Sequence, residues 1–338
     1  MVRDTANPGV PTPLAPEGAA SQFYLLPPFG SFILEHYFSA FSFSAFSVLS
    51  MPASTTLLMT LDCPDRVGLL ARITGFIAAQ RGNFIEVNQY TDTISNWFLA
   101  RFAFEIPPNA TLDSVRRDFT HVAEELGARW ELRDRAKPLR TVLLVSRQDH
   151  CLADLLWRWR SHELNIEIPL VISNHEDLRA SVEKEGLPFL HLPIEGAAGK
   201  KDACFRHLAD VLCKARAELI VLCRYMQIFP EWLCAQYPNA VINIHHSLLP
   251  SFAGADPYRR AYDRGVKLIG ATCHYATEKL DAGPIIHQEV IHAEHFHTPD
   301  DLRRLGRDCE KLALARGVRF HVEYRIVVHG SRAIVFGD

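Results

Sequence analysis

From residue 55 onward the apolar positions fall into regular rhythms. Thr55–Leu61 (TTLLMTL) reads as a strand, closed by the turn Asp62-Cys63-Pro64-Asp65. Arg66–Ala79 sets Val67, Leu70, Ile73 and Ile77 on one helical face, with Asp65 at the N-cap position, and Gly82-Asn83 ends it. Phe84–Thr91 and Trp97–Ile106 are further strands, the second strongly alternating (FLARFAFEI) until Pro107-Pro108 stops it. Leu112–Leu126 is a second amphipathic helix and Ala128–Leu132 a short last strand. The order β-α-β-β-α-β over residues 55–133 predicts a ferredoxin-like domain.

Asp134–Pro138 (DRAKP) predicts a linker over 134–139, and a different rhythm fills 140–338. Strands are expected at Leu139–Val145, Ile166–Ser173, Phe189–Leu192, Leu219–Cys223 and Ala240–Ile244. Between them lie helical stretches at Leu152–Arg160, Glu176–Glu185, Ala203–Ala215 and Pro230–Gln236. Continuous apolar runs such as TVLLV and LIVL belong to a mostly parallel sheet covered on both faces. The predicted class is therefore α/β. Ligands of such sheets bind beyond the carboxyl ends of the strands, which directs attention to the segments after 223 and 244.

Residues 1–50 follow neither rhythm. They are rich in Pro, Ala, Gly and Ser and then in Phe and Ser, with one basic residue, Arg3, against Asp4, Glu17 and Glu35. That pattern fits neither a secretory signal nor a transit peptide, and an irregular, dispensable leader ahead of Met51 is expected.

Lys and Arg number 36 against 39 Asp and Glu, a formal charge of −3, which offers no field for nucleic acid or an anionic membrane. Eight cysteines are scattered without any C-x-x-C pair, as for packed thiols in a reducing compartment. No apolar stretch approaches the ~20 residues that cross a bilayer. A cytoplasmic protein is expected.

The candidate chemistry lies at the end of the last parallel strand. Ala240–Pro250 (AVINIHHSLLP) carries Asn243 and His245 two positions apart on an extended segment, so both point one way. An amide there can donate to a carbonyl oxygen while an imidazole exchanges a proton near neutrality. Leu280-Asp281-Ala282-Gly283-Pro284 sets a carboxylate in a tight turn between the apolar runs LIGATCHYA and PIIHQEV, able to orient the imidazole or activate water. The trio suits acyl or formyl transfer without a covalent nucleophile. His246 is a neighbour without an assigned role, Cys273 a packed thiol, and His292, His295 and His297 surface histidines rather than a metal site.

The segment "NIHHSLLPSFAGADPY…GVKLIGATCHYATEKLDAGPIIHQE" resembles the formyltransferase family that uses formyl-tetrahydrofolates. The resemblance implies a Rossmann-like catalytic domain with Asn243, His245 and Asp281 as catalytic residues. "LIVLCRYMQI" resembles the family's folate loop and implies folate contacts from Arg224, Tyr225, Met226, Gln227 and Ile228. His274 and Thr277 would line the other wall. "DCPDRVGLLARITGFIAAQRGNFIEVNQYTD" resembles the opening of an ACT domain, which implies an amino-acid effector (methionine or glycine) near Asp65, Gly68, Asn83 and Ile85. It also implies sheets paired between chains in a homodimer or tetramer. The combination is similar to the formyltetrahydrofolate deformylase branch, which hydrolyses 10-formyltetrahydrofolate to formate and tetrahydrofolate, supplying formate for purine synthesis. No metal or other cofactor is implied.

Within that resemblance Asp281, assisted by His245, would orient or deprotonate water, and Asn243 with protonated His245 would steady the oxyanion. The loop Ser146–Cys151 has no glycine and carries Asp149, unlike the glycine-rich anion cradle of a transferase acting on a phosphorylated amine. Asp256 stands where the family usually has Lys or Arg. The other readings are a formyltransferase with an amine acceptor and a non-catalytic folate or amino-acid sensor.

Overall fold

The computed structural model describes residues 54–250 and 257–337; the leader at 1–50 and Asp256 lie outside them. The first domain comprises β1 (Thr55–Pro64), α1 (Leu69–Ala79), β2 (Asn83–Asp92), β3 (Trp97–Ile106), α2 (Leu112–Leu126) and β4 (Arg129–Asp134). Its strands pair antiparallel in the order β2-β3-β1-β4, the ferredoxin-like topology. Phe98, Ala100, Phe102 and Phe104 of β3 pack with Leu57, Met59 and Leu61 of β1 against Ile73, Ile77 and Phe119 of the helices. Each such fully buried Leu or Phe contributes about 1.5–3 kcal/mol.

The start of α1 differs from the expectation. Gly68, at φ 90, stands at the N-cap with no side-chain cap, and Asp65 instead gives its backbone N–H to Asn96 O. Val67 precedes the helix and is fully exposed; Leu69 takes its place in the core. The alternation of β3 also hides a second buried face. There Leu99 packs with Val327 and Phe336, and the buried Arg101 pairs with Glu86 (2.7 Å) and donates to Glu323 O.

The second domain runs β5 (Leu139–Val145), α3 (His150–Arg160), β6 (Ile166–Glu167), β7 (Val171–Ser173), α4 (Arg179–Lys184), β8 (Phe189–His191), α5 (Ala198–Lys214) and β9 (Leu219–Cys223). It continues through α6 (Glu231–Gln236), β10 (Val241–His245), α7 (Pro257–Arg264), β11 (Leu268–Tyr275), β12 (Ile285–His292) and α8 (Pro299–Val322), then the hairpin β13 (Ile326–His329) and β14 (Arg332–Val335). The sheet order is β8-β7-β5-β9-β10-β11-β12, parallel from β8 to β10 and antiparallel beyond, as the apolar runs predicted. The expected strand 166–173 is two, because Pro169 cannot donate to a ladder. Along β5, Leu143 and Val145 face α3 and α8 while Val142 and Leu144 face α5 and α6. Strand order reverses between β5 and β9, and there a doubly wound sheet opens a crevice.

No helix among the described residues is long and apolar enough to cross a membrane. Near the end of α8, His321 Nδ1 is hydrogen-bonded to the Tyr275 hydroxyl at 2.8 Å. Burial, and secondarily the Arg133 charge, push its imidazole down to about 4 from 6.5. A folded-state pKa below the unfolded one means that unfolding takes up a proton. The stabilisation, up to ~3 kcal/mol, is complete above pH 6.5 and is lost as pH falls toward 4. His321→Asn is therefore expected to flatten the fall of the urea midpoint between pH 6.5 and 4. A wild-type slope in that variant would contradict the assignment.

Candidate active site

Three strands end at the crevice and a turn reaches over it. A cleft of about 570 Å³ is lined by Gln148 after β5, by residues 224–229 after β9, by Asn243, Ile244 and His245 of β10 and His246 just beyond it, by His274 of β11 and by residues 276–281 after β11. The predicted residues Arg224, Tyr225, Met226, Gln227, Ile228, Asn243, His245, His274, Thr277 and Asp281 all line it.

Pairing register brings the candidate groups together. Asn243 lies directly opposite His274 in the β10–β11 ladder, and Asn243 Nδ2 is 3.2 Å from His274 Nε2. His274 is buried, which lowers its pKa and keeps it neutral. Its Nδ1–H donates to Tyr275 O at 2.9 Å, so Nε2 must accept from the Asn243 amide. That leaves the second amide N–H of Asn243 for another acceptor.

Asp281 sits at φ 53 in the β11–β12 turn, a left-handed backbone that an aspartate tolerates better than most residues. His245 Nδ1 donates to its Oδ2 at 3.2 Å, and Oδ1 is 3.7 Å from His274 Nε2. The His245 hydrogen bond holds the Asp281 carboxyl below its ordinary range, so it is a carboxylate at neutral pH. His245 Nε2 is buried with no hydrogen-bond partner among the described residues. With Nδ1–H directed at Asp281, Nε2 carries the lone pair and can accept a hydrogen bond.

His246 stacks on His245 with ring centroids 5.0 Å apart. Burial, then the Arg224 and His245 charges, push His246 down to about 4; it is neutral, and its Nδ1 accepts from Arg224 Nη1 at 2.7 Å. The Arg224 guanidinium is turned inward: its Nε lies 3.2 Å from Glu310 Oε2 and donates to Gln148 Oε1 at 3.1 Å. Glu310, 1% exposed, also takes a hydrogen bond from His150 (2.6 Å) and from Tyr258 OH (2.8 Å). Burial raises its pKa, but the His150 hydrogen bond and the Arg224 charge outweigh it and keep it ionised.

Met226 and Ile228 are exposed at the cleft mouth, whereas Tyr225 is buried against Phe229. The loop is held by Met226 N, which donates to Ser146 Oγ at 2.9 Å; that hydroxyl in turn donates to Asn174 Oδ1. Cys273 is buried, its sulfur against Gly317, and His292 and His295 are exposed on the surface. His150, Cys151 and Glu310 offer atoms within 4.8 Å of one another, a spacing that could hold a metal ion. The Arg224 guanidinium already neutralises that carboxylate, and burial keeps the Cys151 thiol protonated.

The suggested effector residues do not converge. Through the ladder, Asn83 lies level with Glu105 and Thr56, whereas Pro64, just before Asp65, lies level with Trp97. Asp65 and Gly68 are thus at one end of the sheet and Asn83 and Ile85 at the other, roughly 30 Å along the strands. Helix α1 runs between them, so the four form no single site within one chain.

Residues 139–318 match the family model described as formyl transferase. The formyltetrahydrofolate deformylase of Synechocystis sp. is 44% identical over 284 residues, 83% of this chain and 98% of that one. The chain belongs to the formyltetrahydrofolate deformylase family. The same name is carried by a Bacillus subtilis relative, 40% identical over 82% of this chain and 93% of its own. A crystal structure of a formyltetrahydrofolate deformylase from Pseudomonas syringae pv. tomato is 46% identical, with a TM-score of 0.81 over 86% of this chain and 97% of that one. For a member of the deformylase family, strand-end motifs reveal the trio. They do not reveal Tyr258 and Glu310, which have no local signature and meet the cleft only through the packing of α7 and α8.

Proposed function

We propose that the chain hydrolyses 10-formyltetrahydrofolate to tetrahydrofolate and formate, with Asn243, His245 and Asp281 as the residues that touch the reacting atoms. The observation that carries this reading is the His245–Asp281 hydrogen bond, which leaves the buried His245 Nε2 as a base. Water within reach of that nitrogen gives it a proton as its oxygen attacks the formyl carbon. The Asp281 carboxylate stabilises the imidazolium, and the spare N–H of Asn243 donates to the oxyanion, a contact worth about 3–4 kcal/mol in other enzymes. Collapse returns the proton from His245 to N10, breaks the C–N10 bond and releases formate. The base is thus His245, and Asp281 acts through it rather than on water directly.

The folate ring system would lie along Met226, Ile228 and residues 276–280, with Tyr225, Gln227, His274 and Thr277 shaping the wall. Water is favoured over a phosphorylated amine by the loop after β5, where the cleft meets Gln148 and the α8 carboxylate of Glu310 rather than a glycine-rich cradle. Incubation with 10-formyltetrahydrofolate and no amine should release formate and tetrahydrofolate in equal amounts. Formate that appears only when an amine is added would establish the transferase instead. Methionine or glycine in the same assay tests the first domain as an ACT-type regulator.

A further inference from the structure

Resting on the hydrolytic reading above, we infer that Arg224 is a specificity-determining residue that keeps the nucleophile's place for water and shuts out amine acceptors. The attacking atom must lie within hydrogen-bond reach of His245 Nε2. The Arg224 guanidinium stands one ring away, bonded at 2.7 Å to the imidazole that stacks on His245. A water molecule, about 30 Å³, needs little room beside that cation. An amine brings carbon substituents that need the volume the guanidinium fills, and a protonated amine is also repelled by its charge.

The guanidinium cannot swing aside. Gln148 accepts from its Nε at 3.1 Å, Glu310 lies at 3.2 Å, and Glu310 is itself gripped by His150 and Tyr258. Its side chain is 10% exposed, so moving it would strand a buried carboxylate without its countercharge. The backbone points the same way. Arg224 holds φ 58, a left-handed conformation that glycine adopts freely and a branched-off side chain does not.

The test is Arg224→Gly, which suits that backbone, together with Arg224→Gly/Glu310→Gln, which also removes the stranded carboxylate. Each is assayed with 10-formyltetrahydrofolate in the presence and absence of glycinamide, and formate and N-formylglycinamide are both measured by NMR. In the variants the amine nitrogen attacks the formyl carbon, the C–N10 bond breaks, and the proton lost by the amine passes through His245 to N10. Wild type should yield almost entirely formate, and the ratio of N-formylglycinamide to formate should be at least about tenfold higher in the variants than in wild type, the scale on which a reshaped pocket discriminates. Formate alone from both variants overturns the inference and leaves the hydrolase intact. Loss of formate release from both, with melting temperature and folate binding retained, overturns it too, because Arg224 would then serve hydrolysis itself. A wild type that needs glycinamide to turn over would instead overturn the hydrolytic reading.

Discussion

Asp281→Asn is expected to lower formate release by about 10³–10⁴-fold while leaving KM within a few-fold, on the scale seen when an orienting carboxylate is lost elsewhere. The cause is a single proton. The carboxylate accepts from His245 Nδ1–H at 3.2 Å, which fixes the tautomer with Nε2 free to act as base. An amide in its place can present N–H to Nδ1 and push the ring proton to Nε2, where it blocks proton uptake. It also removes the charge that stabilises the imidazolium. The fold should survive, since the side chain is partly exposed and its carboxylate contributes no core contact. Single-turnover formate release separates this from a binding defect, and a loss below tenfold would remove Asp281 from the chemistry.

Gly283→Ala should also be damaging, though less so, without touching a reacting atom. A Cβ there would stand 1.8 Å from Tyr275 O, a backbone atom that has no rotamer to yield. That strand end also gives Tyr275 N–H to Pro284 O, so relief of the clash must open the turn that carries Asp281. A shift of about 1 Å at the carboxylate would lower kcat/KM by about 10²-fold. The same strain should cost about 1–3 kcal/mol of stability, visible as a lower melting temperature. An alanine variant with wild-type kcat/KM would show that the turn does not position Asp281.

Much of this arrangement is legible along the chain. Unbroken apolar runs in β5 and β9 identify the parallel sheet, because burial on both faces writes itself into the pattern, whereas the alternation of β3 shows only one of its two buried faces. Asn243, His245 and Asp281 are visible because a strand end and a Gly-Pro turn present them locally. Glu310 is not: in "RDCEKLALA" it looks like any helical glutamate, and only the packing of α8 under the cleft buries it against Arg224. The start of α1 misleads for a related reason. Asp65 is a good N-cap by type, yet β1 runs on to Pro64 and Gly68 makes the turn, so the helix begins three residues later than the Arg66 expected. Arg101 likewise sits in an apolar strand because the far face of that sheet meets the end of α8, where Glu323 O accepts from it, a contact more than 200 residues away in sequence.

That hairpin has a practical corollary. It is encoded at the end of the catalytic half, but Val327 and Phe336 rest on Leu99, and Arg332 pairs with Asp92, both in the amino-terminal half. A protein cut between β4 and β5, at residues 135–138, would yield two fragments with apolar surfaces exposed where they had packed together, the larger one prone to self-association. Dissecting regulation from turnover in this molecule therefore calls for point substitutions in the intact polypeptide rather than for scissors.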